Sequence, residues 1–130
     1  MRDFKKLEIW KDSYALCLVI YSITKKFPTS EQFGITSQLR RSSSSIAANI
    51  SEGCGRSSEA DFLRFLYTAA GSLKETENFI MLSRDLNYVG DSEFQKLNSE
   101  ILLLGRKLYS FIDSIKNKGE LQASSLYHRA

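Results

Sequence analysis

Apolar residues recur in this chain at three- and four-residue steps over four stretches, each bounded by residues that start or stop a helix. The first spans residues 7–26. One seam there is Leu7, Trp10, Tyr14, Cys17 and Tyr21, and a second is Ile9, Leu16, Ile20, Ile23 and Phe27. One broad stripe suffices for a helix in a simple bundle, so two stripes predict burial on two sides, one of them against another subunit. Phe27-Pro28 ends the helix, because the residue before proline is pushed out of the α region.

The second helix is expected to begin between Thr29 and Thr36, either with Thr29 and Gln32 at capping-box spacing or, since Gly34 weakens continuity, after a short turn with a new start near Ile35. Its apolar positions Leu39, Ile46 and Ile50 are separated by small residues, including four consecutive serines. A helix so poor in bulk needs close neighbours, which predicts a packing and assembly element. It should stop at Gly53, with Gly53 or Gly55 in the left-handed region. Ser58 and Asp61 have capping-box spacing at the start of the third helix. Its seam is Phe62, Leu66, Ala69, Leu73, Thr76 and Ile80, flanked by Phe65 and Phe79, and Asn87 can close it. Asp91 and Ser92 are set to cap the fourth helix. Its stripe, Phe94, Leu97, Ile101, Leu104, Leu108, Phe111 and Ile115, has the alternating steps of a bundle seam. Lys116, Lys118 and Gly119 predict its end. The expectation is an all-α, antiparallel up-down-up-down four-helix bundle over residues 1–119, with a flexible C-terminal tail over residues 120–130.

Composition adds bounds. The 130 residues suit one domain, and a single proline favours long helices over a loop-rich sandwich. The net charge of +3 falls short of a dedicated nucleic-acid binder. Residues 1–58 carry nine Lys/Arg against five Asp/Glu, so the positive excess sits in the N-terminal half. Two cysteines, Cys17 and Cys54, make no disulfide framework. No signal peptide precedes the first helix, and no apolar run is long enough to span a membrane, so the expected location is the cytoplasm.

Catalytic chemistry is hard to find. The single histidine, His128, lies in the tail, which removes the usual triads and histidine-rich metal sites. The glutamates lack the Glu-x-x-His pairs of di-metal bundles. Gly53-Cys54-Gly55-Arg56-Ser57-Ser58 lacks the lysine and spacing of a phosphate loop and reads as a turn. No catalytic residue, metal site or cofactor is therefore expected. Asn49 and Glu52, near the Ile46/Ile50 face, need partners if buried, and a structural role that sets register is favoured over a ligand site. Lys25, Lys26, Arg40, Arg41 and Arg56 are the candidates for contact with nucleic acid, with Lys5, Lys6 and Lys11 as neighbours. Trp10, Tyr14, Leu39, Ile46, Asn49, Ile50 and Glu52 are the candidates for packing or subunit contact.

Several stretches together resemble a known family. They are Leu7-x-x-Trp10 with Tyr21 and Phe27-Pro28, and then Phe33-Gly34-Ile35-Thr36-Ser37-Gln38-Leu39-Arg40-Arg41. The match continues through Ser45-Ile46, Asn49-Ile50 and Glu52-Gly53 into Phe62-Leu63-Arg64-Phe65-Leu66, Ala69-x-Gly71-Ser72-Leu73 and Glu77. The chain is similar over residues 4–116 to four-helix-bundle proteins encoded in intervening sequences of bacterial large-subunit (23S) ribosomal RNA genes. The family often has proline where this chain has Ala47, so a straighter second helix is expected here. The resemblance implies a left-handed bundle assembled as a homopentameric ring, with no established enzymatic activity. A related branch is the accessory protein of diversity-generating retroelements, which contacts a reverse transcriptase and nucleic acid. The expected function is a non-enzymatic ring that binds RNA or other nucleic acid through a repeated basic surface. The alternative is a protein-interaction scaffold or adaptor, for example for a reverse transcriptase.

Overall fold

A computed structural model describes the backbone of residues 2–129 and the side chains of residues 2–119. Helix α1 covers Glu8–Thr24, α2 Ile35–Cys54, α3 Glu59–Asp85 and α4 Asp91–Arg129. Short 3-10 turns at Phe4–Lys6 and Thr29–Glu31 precede α1 and α2. The described residues contain no strand. Each helix packs on the next in sequence and α4 returns to α1, as expected of an up-down-up-down bundle.

The core follows the stripes. Ile9, Leu16, Ile20, Ile23 and Phe27 are buried, whereas Tyr14 and Tyr21 on the other seam of α1 are 50% and 42% exposed. Every member of the α3 seam is buried. On α4 the stripe needs one correction: Ile112 is fully buried and Phe111 only partly so. The step from Leu108 is four residues, as a 3.6-residue period requires when three-residue steps have let the stripe drift.

The small residues of α2 have a direct cause. Ser42 and Ser43 are fully buried. Thr76 Oγ1 and Ser42 Oγ are hydrogen-bonded at 2.9 Å, and Ser45 Oγ and Ser72 Oγ at 2.9 Å. Hydroxyls pair across α2 and α3 because the backbones are close enough for the short side chains of serine and threonine to meet. A Cβ on Gly53 would lie 2.9 Å from both Phe62 Cδ1 and Phe65 Cβ, so glycine is needed there to let α3 approach. Leu39, Ile46 and Ile50 are completely covered by their own chain. They are intrachain packing residues, and a second subunit cannot reach them. Helix α2 runs unbroken through Ala47.

The helix ends depart from expectation in four places. No glycine has positive φ among the described residues; α2 ends at Cys54, and Gly55 stays right-handed with φ −86°. Thr29 forms no cap, since Glu31 Oε1 approaches the Ile35 amide at 3.5 Å instead. The helical backbone of α4 runs through Gly119 to Arg129. A lone glycine in a helix costs only about 1 kcal/mol relative to alanine, and no proline follows to stop the chain. The side chains of residues 120–130, His128 among them, lie outside the described residues. Two ends match: Ser58 accepts from the Asp61 amide, and Asn87 is left-handed with φ 64°. Helix α4 begins one residue early, at Asp91, with the Phe94 amide donating to the Gly90 carbonyl.

Candidate functional site

The five cations singled out in the sequence do not form one patch. Arg40 leaves α2 toward α1, where its Nε donates to Thr24 Oγ1 at 2.9 Å and its guanidinium stacks 4.7 Å above the Tyr21 ring. Arg41, one residue and about 100° further round the helix, turns to α3 and pairs with Glu75 and Gln38. Arg56 lies at the opposite end of α2, paired with Glu52 at 2.9 Å and Asp61 at 3.6 Å and stacked on Phe65. Lys25 and Lys26, just past the end of α1, are exposed, and their side chains have no hydrogen bond or ion pair among the described residues.

Carboxylates therefore compensate Arg41 and Arg56. Lys25, Lys26 and Arg40 keep uncompensated charge at one end of the bundle, where the α1–α2 connection turns. Arg40 is held by a hydroxyl and a π-face, which fix its geometry without cancelling its charge. Lysines past the end of α1 also suit the negative end of its macrodipole. Lys5, Lys6 and Lys11 lie at the other end of α1, about 20–30 Å away at 1.5 Å per residue.

The assembly candidates divide differently. Trp10 stacks between Phe4 and Tyr14, each ring centroid 5.0 Å away. With Cys17, Ser44, Ala47, Ala48 and Ser51 these aromatic residues line an open apolar groove of about 330 Å³ along the outer α1–α2 face. Leu18 on the exposed side of α1 is 59% exposed. The small residues of α2 thus serve both sides: Ser42 and Ser45 meet α3, while Ser44, Ala47 and Ala48 floor the groove. Asn49 donates to Ser45 O and Oγ at 2.8 and 2.9 Å, so its partners lie on its own helix. Glu52 is exposed and occupied with Arg56.

Two features escaped the sequence reading. Lys107 of α4 bridges Glu8 at 2.7 Å and Asp12 at 3.0 Å on α1. Those bonds hold the Glu8 carboxyl below its ordinary range and push the Lys107 ammonium up. An apolar groove of about 540 Å³, lined by residues such as Leu7, Ile9 and Phe111, lies beside this bridge at the α1–α4 seam. Glu8 and Asp12 at four-residue spacing were the available signal, but their partner is 95 residues or more away. The second feature is Phe33, 90% exposed in the α1–α2 connection. Its position outside every stripe was the signal.

Other chemistry is sparse. Cys54 is buried, which pushes its thiol up; Cys17 is half-buried, in no disulfide, and its sulfur accepts from Ser43 Oγ at 3.8 Å. Among the described residues no three His, Cys, Asp or Glu side chains gather as a metal site, and no helix is long and apolar enough to cross a membrane.

The family model for the 23S rRNA-intervening sequence protein matches residues 5–110. Comparison with curated proteins finds no match. Among solved structures, a protein of unknown function from the S23 ribosomal protein family of Bacteroides thetaiotaomicron superposes with a TM-score of 0.72. It is 26% identical, and the similarity covers 80% of this chain and 97% of that one.

Proposed function

The chain belongs to the 23S rRNA-intervening sequence protein family, and from that premise we propose a non-enzymatic, self-associating helical bundle that binds RNA. The observation that supports it is the layout of α1. Along its length it leaves the Trp10–Tyr14 groove uncovered, and past its end lie Lys25 and Lys26, with Arg40 alongside. An uncovered aromatic groove suits a second copy, because its rings offer large apolar area. Cyclic symmetry would then repeat the three cations once per subunit, and a modest site gains avidity by repetition. The resemblance implies five copies.

Native mass measurement tests the assembly: the wild type should form a closed oligomer and Tyr14→Glu should shift it toward monomer. A wild-type monomer would sink that half. For RNA, Lys25→Glu with Lys26→Glu should weaken retention and flatten its salt dependence. Unchanged retention by the folded double variant would remove the RNA half. A protein-interaction scaffold is the second reading, favoured by the apolar groove at the α1–α4 seam. On that reading partner capture survives both nuclease and high salt.

A further inference from the structure

We propose that the α1–α2 connection is a single-strand contact, in which Phe33 stacks on an unpaired base while Lys25 and Lys26 hold the flanking phosphates. The inference rests on the RNA reading above and specifies the form of RNA that this end accepts.

Three observations carry it. Phe33 is the most exposed large apolar side chain among the described residues, at 90%. The turn beneath it is nonetheless well tied. The Glu31, Gln32 and Gly34 amides donate to the carbonyls of Pro28, Thr29 and Glu31 at 2.9–3.1 Å. Tyr88 donates its hydroxyl to Glu31 Oε2 at 2.9 Å and packs on the buried Phe27 at 5.4 Å between centroids. The Glu31 carboxylate occupies the space a side chain at Gly34 would need, 2.5 Å from its Cβ position. Phe33 is thus an unpacked ring on a fixed backbone, which lowers the ordering cost of binding. The third observation is charge: the same connection carries Lys25 and Lys26, whose side chains have no partner among the described residues.

An exposed ring and two cations on one connection are what a single strand needs. Every base has a π-face, and the phosphates follow within reach of cations. Duplex RNA hides its base faces in the stack and offers a ring nothing to stack on. The first turn of α4, at the same end of the bundle, carries Asp91 and Glu93. Those acids repel phosphate and confine the strand to the α1–α2 side. They also argue against an acidic protein partner spanning this end.

Fluorescence polarisation on the full chain tests this, with a labelled 12-nucleotide single strand and a blunt-ended duplex of that strand with its complement. The wild type should prefer the single strand. Phe33→Ala should weaken it about 5- to 100-fold with the salt slope unchanged, and Phe33→Trp should restore it. Lys25→Gln with Lys26→Gln should lower the slope of log affinity against log salt by about 1.4. Phe33 is exposed, so Phe33→Ala should leave the melting temperature and native mass unchanged. Equal binding of duplex and single strand, or full single-strand affinity in Phe33→Ala, would overturn the stacking contact while leaving RNA binding standing. A drop in native mass for Phe33→Ala would assign the ring to a subunit contact and overturn it. If the wild type binds neither RNA, the RNA reading falls and takes this inference with it.

Discussion

The α2–α3 seam and the α1–α4 seam are built on opposite terms. At the first, glycine and serine let two backbones come close, and hydroxyls bond across the gap at 2.9 Å. At the second, contact is sparse, an apolar groove of about 540 Å³ remains open, and one lysine reaches across to two carboxylates. Close packing commits a seam to one geometry, since density near that of an organic crystal leaves no room for a changed side chain. A long lysine bridging a groove tolerates shifts of its partners. The bundle therefore has a rigid half, α2 with α3, and a looser closure where the last helix meets the first.

The largest expected difference comes from filling the tight seam. Gly53→Val should lower stability by about 2–3 kcal/mol, because its methyls must displace Phe62 and Phe65. Leu103→Ala, at a 45% exposed position of α4, should change stability by less than about 0.5 kcal/mol. Denaturant titration checks both, and equal losses would erase the contrast between the seams. Next in size are the buried hydroxyls. Ser42→Ala and Thr76→Val should each cost about 1 kcal/mol. They should couple in a double-mutant cycle, since each removes a partner of the other; additive losses would show that the pair does not act together.

The smallest effect belongs to Lys107, whose charge sits at the surface where screening is strong. Lys107 lowers the Glu8 carboxyl below 4.5, so that contribution is present above about pH 4.5 and is lost as pH falls through the folded value. The Lys107 ammonium is raised above 10.5, so its contribution is complete below that pH and is lost as pH rises through the folded value. The melting temperatures of wild type and Lys107→Met should therefore differ between about pH 4.5 and 10.5 and converge outside that window. A pH-independent difference would assign the loss to packing of the lysine stem. Amide exchange offers a parallel measure: in Lys107→Met, protection in the first turns of α1 should fall while the α2–α3 seam keeps its own.

Much of this was legible along the chain. Periodicity placed four helices, the buried seam of α1 and the whole α3 seam, because burial on one helical face leaves a 3.6-residue trace. Ser58 and Asn87 were readable because caps are local. Less local features were harder to read. Leu39, Ile46 and Ile50 were candidates for packing or subunit contact, and full burial in their own chain selects packing. Arg40 and Arg41 are neighbours in sequence and point to different helices. The expected stop at Gly119 had a plausible signal, but a weak helix residue ends a helix only when something better competes for the backbone.

The amino-acid sequence by itself determined the bundle, its topology and the identity of its core. Those follow from the spacing of apolar residues and from local turn chemistry, which act within a few residues of one another. Tertiary structure decided which charges are cancelled, which small residues touch and which rings stay bare. Pairings such as Arg41 with Glu75 or Lys107 with Glu8 join residues 34 and 99 positions apart. Only folding sets those distances, and Coulombic and contact energies depend on distance in space.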